Sequence, residues 1–482
     1  MSLSKTIYII LSAILILSLP FFVNGLDWSA GYLLPLSLLA MTAIFALAAI
    51  NFQNIFLFII FIMPAIFYFN YLKINILNYL PFLNDYTFYL NPASVIYLII
   101  ILFGLLTLLE KRRDLKSLPL KYIMLAAIML AGASMLWSAD LQTSLIELIY
   151  LIVPFAMYLI AYFYFSNQTA FMKLFLVSIL SSIIPLIVAI FQLASGGYFY
   201  ESDSSLGRLT GGLDHPNTLG LFLFLITGLL ISLYLAKADR GFKNNKLIFF
   251  YLAGLLFFFT LTYSRTSWLC LAVFIILLIF LERKIIWLLL ASLPLTAIIF
   301  LAFENIKYRV LEIFDNALFS SMTARLNIWR VSLEQILVKP FFGHGVGAAE
   351  SIIENTKPWQ GGVSLPHNDY LLQTLELGLA GLAIFLIYTF GAIYYAFLTF
   401  KSLADKKTVI NLYGHVFILN FKVLTFGLLA ILIALLPATI FESLSQKIIL
   451  QIIIWSLLGG LFGLCHCERP EGAKSIATRD LA

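Results

Sequence analysis

The chain has 482 residues, of which 62% are hydrophobic and 11% charged, with a formal net charge of +6 and a mean hydropathy of +0.99. Its charges sit in short clusters between apolar runs of about 20 residues, the length a bilayer-spanning helix needs, so the composition excludes a string of soluble domains and points to an integral membrane protein. The basic excess lies mostly at the ends of those runs, where it orients helices in a membrane, and it warrants no nucleic-acid partner.

Segments such as IIIWSLLGGLFGL are apolar on every face instead of alternating, which favours helices over a β-barrel. In chain order, helices are predicted over 6–24, 30–50, 52–70, 93–109, 120–138, 146–165, 171–193, 217–236, 247–262, 266–282, 285–303, 376–398, 417–440 and 447–464. That makes an all-α polytopic membrane protein with about 12 to 14 transmembrane helices in a single helical domain, residues 1–464. The first run follows Lys5 and shows no small-x-small cleavage site, so it reads as a retained helix. Basic clusters at Lys111, Arg112, Arg113, Lys116 and Lys121, at Lys237, Arg240, Lys243 and Lys246, at Arg283 and Lys284, and at Lys401, Lys406 and Lys407 all fall on one side, the cytoplasmic one by the positive-inside rule.

The opposite side carries the loops 194–216 and 304–375 and the tight turn TYSRTSW. Within the longer loop, ARLNIWRVSLEQIL has apolar residues at helical spacing, so a helix lying near the membrane surface is expected there. Residues 465–482, CHCERPEGAKSIATRDLA, turn abruptly polar and are expected to be disordered and inert. Cys465 and Cys467 beside one histidine are weak evidence for a metal, and the 3 cysteines imply no disulfide framework.

Four polar stretches lie on the extracytoplasmic side: GRLTGGLDHPNTLG from residue 207, LTYSRTSWL from 261, ARLNIWRVSLEQILVKPFFGHGVG from 324 and SLPHNDYLLQTLELG from 364. Arg265, wedged between two apolar runs, reads either as a snorkelling anchor or as an anion site in which its guanidinium and the hydroxyls of Ser264, Thr266 and Ser267 meet a phosphate. Arg208 stands among Gly207, Gly211 and Gly212, which permit close backbone approach; the other reading is a plain turn with Asn217 as a helix cap. Arg325 and Arg330 are spaced to line the polar face of an amphipathic helix. Gly343, Gly345 and Gly347 imitate half of a nucleotide fingerprint, but no βαβ pattern surrounds them and they read as shaping a turn. His367 follows Pro366 at the mouth of a membrane helix, with Asn368 as a cap. The positive end of that helix favours a neutral imidazole able to accept a proton, while a residue that merely marks the interface is the alternative.

Taken together, these stretches resemble the O-antigen ligase and polymerase superfamily of bacterial envelope enzymes. The superfamily's motif of His, then Asn, Ser or Gln, nine residues, and Gly-x-x-Gly is matched by His367, Asn368, Gly378 and Gly381. SRTSW resembles its arginine at a helix start, and RLNIW with KPFFGHGVG resembles the Arg, Trp and Pro-x-x-Gly-x-Gly of its large periplasmic loop. WSADLQTSL and GRLTGGLDHPN also look like family features, so the resemblance spans roughly residues 130–400.

The resemblance implies a multi-pass protein of the bacterial inner membrane, active on its periplasmic face, with 304–375 as the periplasmic loop. It implies an inverting, metal-independent glycosyltransferase without a cofactor. The donor would be an undecaprenyl-diphosphate-linked glycan and the acceptor lipid A core, a growing glycan or a protein, with ligation to lipid A core favoured and membrane lipids as surroundings. His367 would serve as base, Arg265 and Arg325 would stabilise charge on the departing diphosphate, and Arg208, Asn368, Arg330 and Ser264 would bind substrate. A transporter, the alternative of another class, would carry ionisable residues near the midplane of broken helices, whereas Glu147, Lys173 and Lys422 fall towards helix ends.

Overall fold

The computed structural model describes residues 51–68, 74–75, 89–90, 92–199, 207–237, 246–281, 283, 320–356, 365–405, 407–412 and 415–468. The helices expected at 6–24, 30–50 and 285–303 lie outside that set. In chain order the described elements are helix α1 (Phe52–Tyr68), the short strands β1 (Ile74–Asn75) and β2 (Tyr89–Leu90), and helices α2 (Pro92–Glu110), α3 (Lys121–Ser134), α4 (Leu141–Tyr164), α5 (Gln168–Leu180), α6 (Ile183–Ser195), α7 (Pro216–Ala236), α8 (Lys246–Leu261), α9 (Arg265–Leu281), α10 (Ser320–Val338), α11 (Ala349–Thr356) and α12 (Asp369–Ser402). The antiparallel hairpin β3 (Lys407–Leu412) and β4 (His415–Asn420) follows, then helices α13 (Phe421–Ala434), α14 (Leu436–Phe441) and α15 (Ile448–Glu468). Among the described residues, 7 helical stretches are long and apolar enough to cross a membrane. The chain is an all-α polytopic membrane protein.

Several boundaries depart from the hydropathy reading for local reasons. The run 171–193 divides into α5 and α6 at Ser181 and Ser182, whose hydroxyls donate back to the carbonyls of Ser178 and Ile179, just before Pro185, which has no amide hydrogen to give. The run from 417 begins as strand, because TVINL and HVFILN pair as a hairpin, and α13 starts only where Asn420 caps the amides of Lys422 and Val423. At the C-terminus, α15 continues through Cys465 to Glu468, into what reads as tail; the residues beyond lie outside the described set.

Two compact units emerge, Met1–Leu118 with Ile152–Ile184 and Ile452–Ala482, and Pro119–Leu151 with Pro185–Gln451. In the first, α15 lies close along α4: a Cβ at Gly459 or Gly463 would meet the carbonyl oxygens of Tyr158 and Tyr162, and Trp455 meets Phe155 and Tyr158 edge-on at 5.4 and 5.7 Å. In the second, α7 is the central helix. It packs against α8, α9 and α13, and nearly all its side chains are buried, as an all-apolar helix surrounded by others must be. A Cβ at Gly220 would meet the Ser267 hydroxyl at 2.6 Å, so the turn between α8 and α9 rests directly on α7.

α12 is two limbs joined at Gly378, whose φ of 67° and ψ of −166° are not helical. On a straight helix Tyr370 and Phe385 would be about 22 Å apart. Their ring centroids are 5.6 Å apart, so the limbs fold sharply toward each other.

Candidate functional site

The centre of the polar cluster in the second unit is Glu442. Pro437 ends the regular run of α13, α14 adds a short turn, and Glu442 caps it with a side chain that is 1% exposed. Its Oε1 accepts from Asn217 Nδ2 at 2.6 Å and from Arg325 Nη2 at 3.0 Å, while Oε2 lies 3.5 Å from His367 Nδ1. Asn217 in turn accepts on Oδ1 from Arg208 Nη2 at 2.6 Å, and Arg208 Nε donates to the carbonyl of Thr262 at 2.9 Å. Arg208, Arg325 and His367, which come from three separate polar stretches, therefore converge through one carboxylate.

Each partner is held from its own element. Arg208 exchanges both backbone hydrogen bonds with Phe199 and is almost wholly buried. Asn217 starts α7, yet it is not the cap: His215 Nδ1 accepts from the Asn217 amide at 3.1 Å, which leaves the Asn217 side chain to bridge Arg208 and Glu442. Arg325 projects from α10, and Trp329, one turn on, donates its indole N–H to the Pro366 carbonyl at 2.7 Å, fixing α10 beside the His367 loop. His367 has a left-handed φ of 48° and keeps 29% of its side chain exposed. Asn368 caps α12 by accepting from Leu371, and Asp369 accepts from the amide and hydroxyl of Ser445. The chain on both sides of the Glu442 to His367 contact is thus pinned.

Burial by itself pushes the Glu442 carboxyl up. The His367 hydrogen bond and the charges of Arg325 and Lys447 outweigh it and hold the group well below the usual carboxylate range, so it is ionised. His215 goes down to about 4 through burial first and the Arg208 charge second, against the pull of Glu442, which keeps it a neutral cap. With Nδ1 facing an ionised carboxylate, the proton of a neutral His367 ring sits on Nδ1 and Nε2 is left to accept another. The cluster can hold an anion and receive a proton.

The remaining sequence candidates fall into place differently. Arg265 is half-buried at the first position of α9, three residues beyond the Thr262 carbonyl that holds Arg208. Ser264 is buried, its hydroxyl accepting from Ser267 at 2.9 Å. Arg330 is 77% exposed and pairs with Glu334 one turn along α10. The sequence reading missed Glu442, and of its two readings of the Arg208 stretch the one that makes Asn217 a helix cap does not hold, because His215 is the cap. The available signal was an acid in TIFESLSQK, at the end of a helix run that the helix count brings to the same face as the arginines.

The glycine-rich loop after α10 serves the backbone. His344 N donates to Leu375 O at 3.0 Å and Gly345 N to Glu376 O at 2.8 Å, while Leu379 N donates to Pro340 O at 2.8 Å. The loop therefore satisfies the carbonyls and amides that the break at Gly378 releases. Gly343, Gly345 and Gly347 all have positive φ, and a Cβ on Gly345 or Gly347 would collide with the backbone of Ser138 or Ser144. WSADLQTSL is the receiving surface: Asp140 caps α4 through Thr143, and Ser138 and Ser144 both donate to Val346 O. This loop is a plug in a broken helix.

Fold and site define a multi-pass helical membrane protein with a buried carboxylate that gathers arginines and a histidine. Residues 249–386 match the family described as O-antigen ligase, a family associated with O-antigen ligase and polymerase enzymes. The match contains Ser264, Arg265, Arg325, Arg330, His367, Asn368 and the Gly378 to Gly381 element, so the resemblance read from the motifs holds over that region; Arg208 and Glu442 lie outside it. Among curated proteins no match is found.

Proposed function

We propose that the protein is an inverting, metal-independent glycosyltransferase that transfers a glycan from undecaprenyl diphosphate to an acceptor at the periplasmic face of the bacterial inner membrane, the acceptor being lipid A core. The observation that carries this reading is the convergence of Arg208, Arg325 and His367 on Glu442 beside the Arg265 turn. The acceptor hydroxyl attacks the anomeric carbon from the face opposite the diphosphate and gives its proton to His367 Nε2. The bond from that carbon to the diphosphate oxygen breaks, and its electron pair leaves with the diphosphate. Arg265 and Arg325 stabilise the charge that builds there, with Arg208 supporting them. Glu442 orients the imidazole and stabilises its protonated form.

The test is a surface-glycan gel of a deletion strain complemented with wild-type or His367→Asn protein. Asn tolerates the left-handed backbone at 367, so the variant should insert normally and fail to transfer. Free core without O-chain in the deletion and variant strains supports ligation. Core bearing a single repeat means polymerase instead, and unaltered lipopolysaccharide with a lighter glycoprotein means a protein acceptor. Unchanged glycans in every strain overturn the transferase reading.

A further inference from the structure

The cations around Glu442 are not equally available to a substrate. Arg208 is 2% exposed and occupied by Asn217 and the Thr262 carbonyl, so releasing it strands two buried acceptors. Arg325 is the counter-ion of a buried carboxylate, so it meets a substrate only from the place Glu442 fixes, with the guanidinium donors that Glu442 leaves over. Lys447 differs. Its Nζ lies 3.1 Å from Asp214 Oδ2, and the Asp214 side chain is 47% exposed while that of Lys447 is 14% exposed. If this pair opens, water takes over the solvation of Asp214, whereas the poorly hydrated ammonium still gains from any new anion.

Lys447 also belongs to the cluster. Its charge acts on both Glu442 and His215. Its amide donates to the Leu444 carbonyl, and the turn before it is anchored by the amide and hydroxyl of Ser445 on Asp369 and by the Gln446 side chain on Glu147. Only the side chain has to move for it to change partners.

We infer that Lys447 is a donor-binding cation held in reserve: Asp214 keeps the ammonium at the edge of the site while no substrate is present and yields it to the diphosphate of the lipid carrier. The inference rests on the transferase reading above and deepens it, giving the loop 207–216 the additional task of tuning donor affinity. It assigns opposite tasks to the two ends of one ion pair, Lys447 binding the diphosphate and Asp214 competing with it. A mere latch between the loop and the turn after α14 would need both ends equally.

The experiment measures transfer by purified full-length protein in nanodiscs, with the undecaprenyl-diphosphate-linked glycan and the acceptor varied separately. Lys447→Met retains most of the apolar stem and Asp214→Asn is isosteric and exposed, so both should fold, as thermal unfolding will verify. Lys447→Met is expected to raise the donor KM about tenfold. Asp214→Asn is expected to lower the donor KM about two- to threefold, because it weakens only the competing partner. The double variant should match Lys447→Met, and acceptor KM should stay constant throughout. Donor KM moving in the same direction in both single variants, or a shift confined to acceptor KM, overturns the inference while leaving the transferase reading intact. A wild-type protein that transfers nothing from this donor overturns both.

Discussion

Residues 367–381 hold two neighbourhoods built on opposite principles. Around Gly378 the break itself is closed backbone to backbone: the loop after α10 inserts its own amides and carbonyls into the break in α12, and the hydroxyls of Ser134, Ser138 and Ser144 and the Glu376 carboxyl group hold the loop from its sides. Around His367 the contacts run side chain to side chain and carry charge, through Glu442, Arg325 and Asn217. The first arrangement places its free energy in the fold. The second desolvates a carboxylate to hold cations and an imidazole in fixed positions, a weak route to stability and a strong one to placed charge. Under the proposed function, two halves of one sequence motif serve different ends, one as scaffold and one as chemistry.

Gly378→Ala breaks the scaffold half and should have the largest effect. The substitution adds a Cβ at φ 67° that would meet the Phe341 carbonyl group, and backbone cannot step aside as a side chain does. Left-handed strain and overpacking together should cost more than about 3 kcal/mol. The expected outcome is little folded protein after membrane extraction, measured as monodisperse yield and thermal midpoint. Wild-type yield and midpoint would mean that the break is not held by the loop.

Glu442→Gln addresses the chemical half. It keeps the shape and one acceptor but removes the charge that Arg325 and His367 face. Stability should fall by about 1.5–3 kcal/mol, the worth of a charge-assisted hydrogen bond, while the protein still inserts and purifies. Transfer should fall further, by about a hundredfold or more, because an uncharged amide no longer holds the imidazole tautomer or stabilises its protonated form. Equal losses of stability and transfer would erase the distinction between the two neighbourhoods.

The same contrast explains what the sequence disclosed. Helix identities, the turn around Arg265 and the Asn368 cap were legible because hydropathy period and capping chemistry are local. The glycines after α10 were recognisable as turn-formers, but not as a plug, since the partner is a helix break some 30 residues downstream and a break inside an apolar run leaves no hydropathy signature. Glu442 was hidden for a related reason: its role depends on Asn217 and Arg325, more than 100 residues away in the chain. Asn217 looked like a cap because Asn commonly caps helices, and only the fold shows that His215 takes that task and releases the amide.

His215 supplies the smallest test, because it lies at the margin of the charged neighbourhood and contributes there as a neutral acceptor. Burial, aided by Arg208 and Lys447 and opposed by Glu442 and Asp214, takes its pKa from the ordinary 6.5 down to about 4. Between those values the unfolded chain binds more protons than the folded one, so stability rises with pH. The contribution is complete above about pH 6.5 and is lost as pH falls through the folded value, when a protonated Nδ1 can no longer accept from the Asn217 amide. His215→Asn substitutes a good cap that does not titrate, at a difference in capping strength of about 1 kcal/mol or less. Thermal midpoints in detergent should fall more steeply from pH 7 to pH 4 for the wild type than for the variant, the carboxylates common to both cancelling in the comparison. Parallel curves would show that His215 does not titrate as a buried cap, and the bridge that its cap frees Asn217 to make would then need another support.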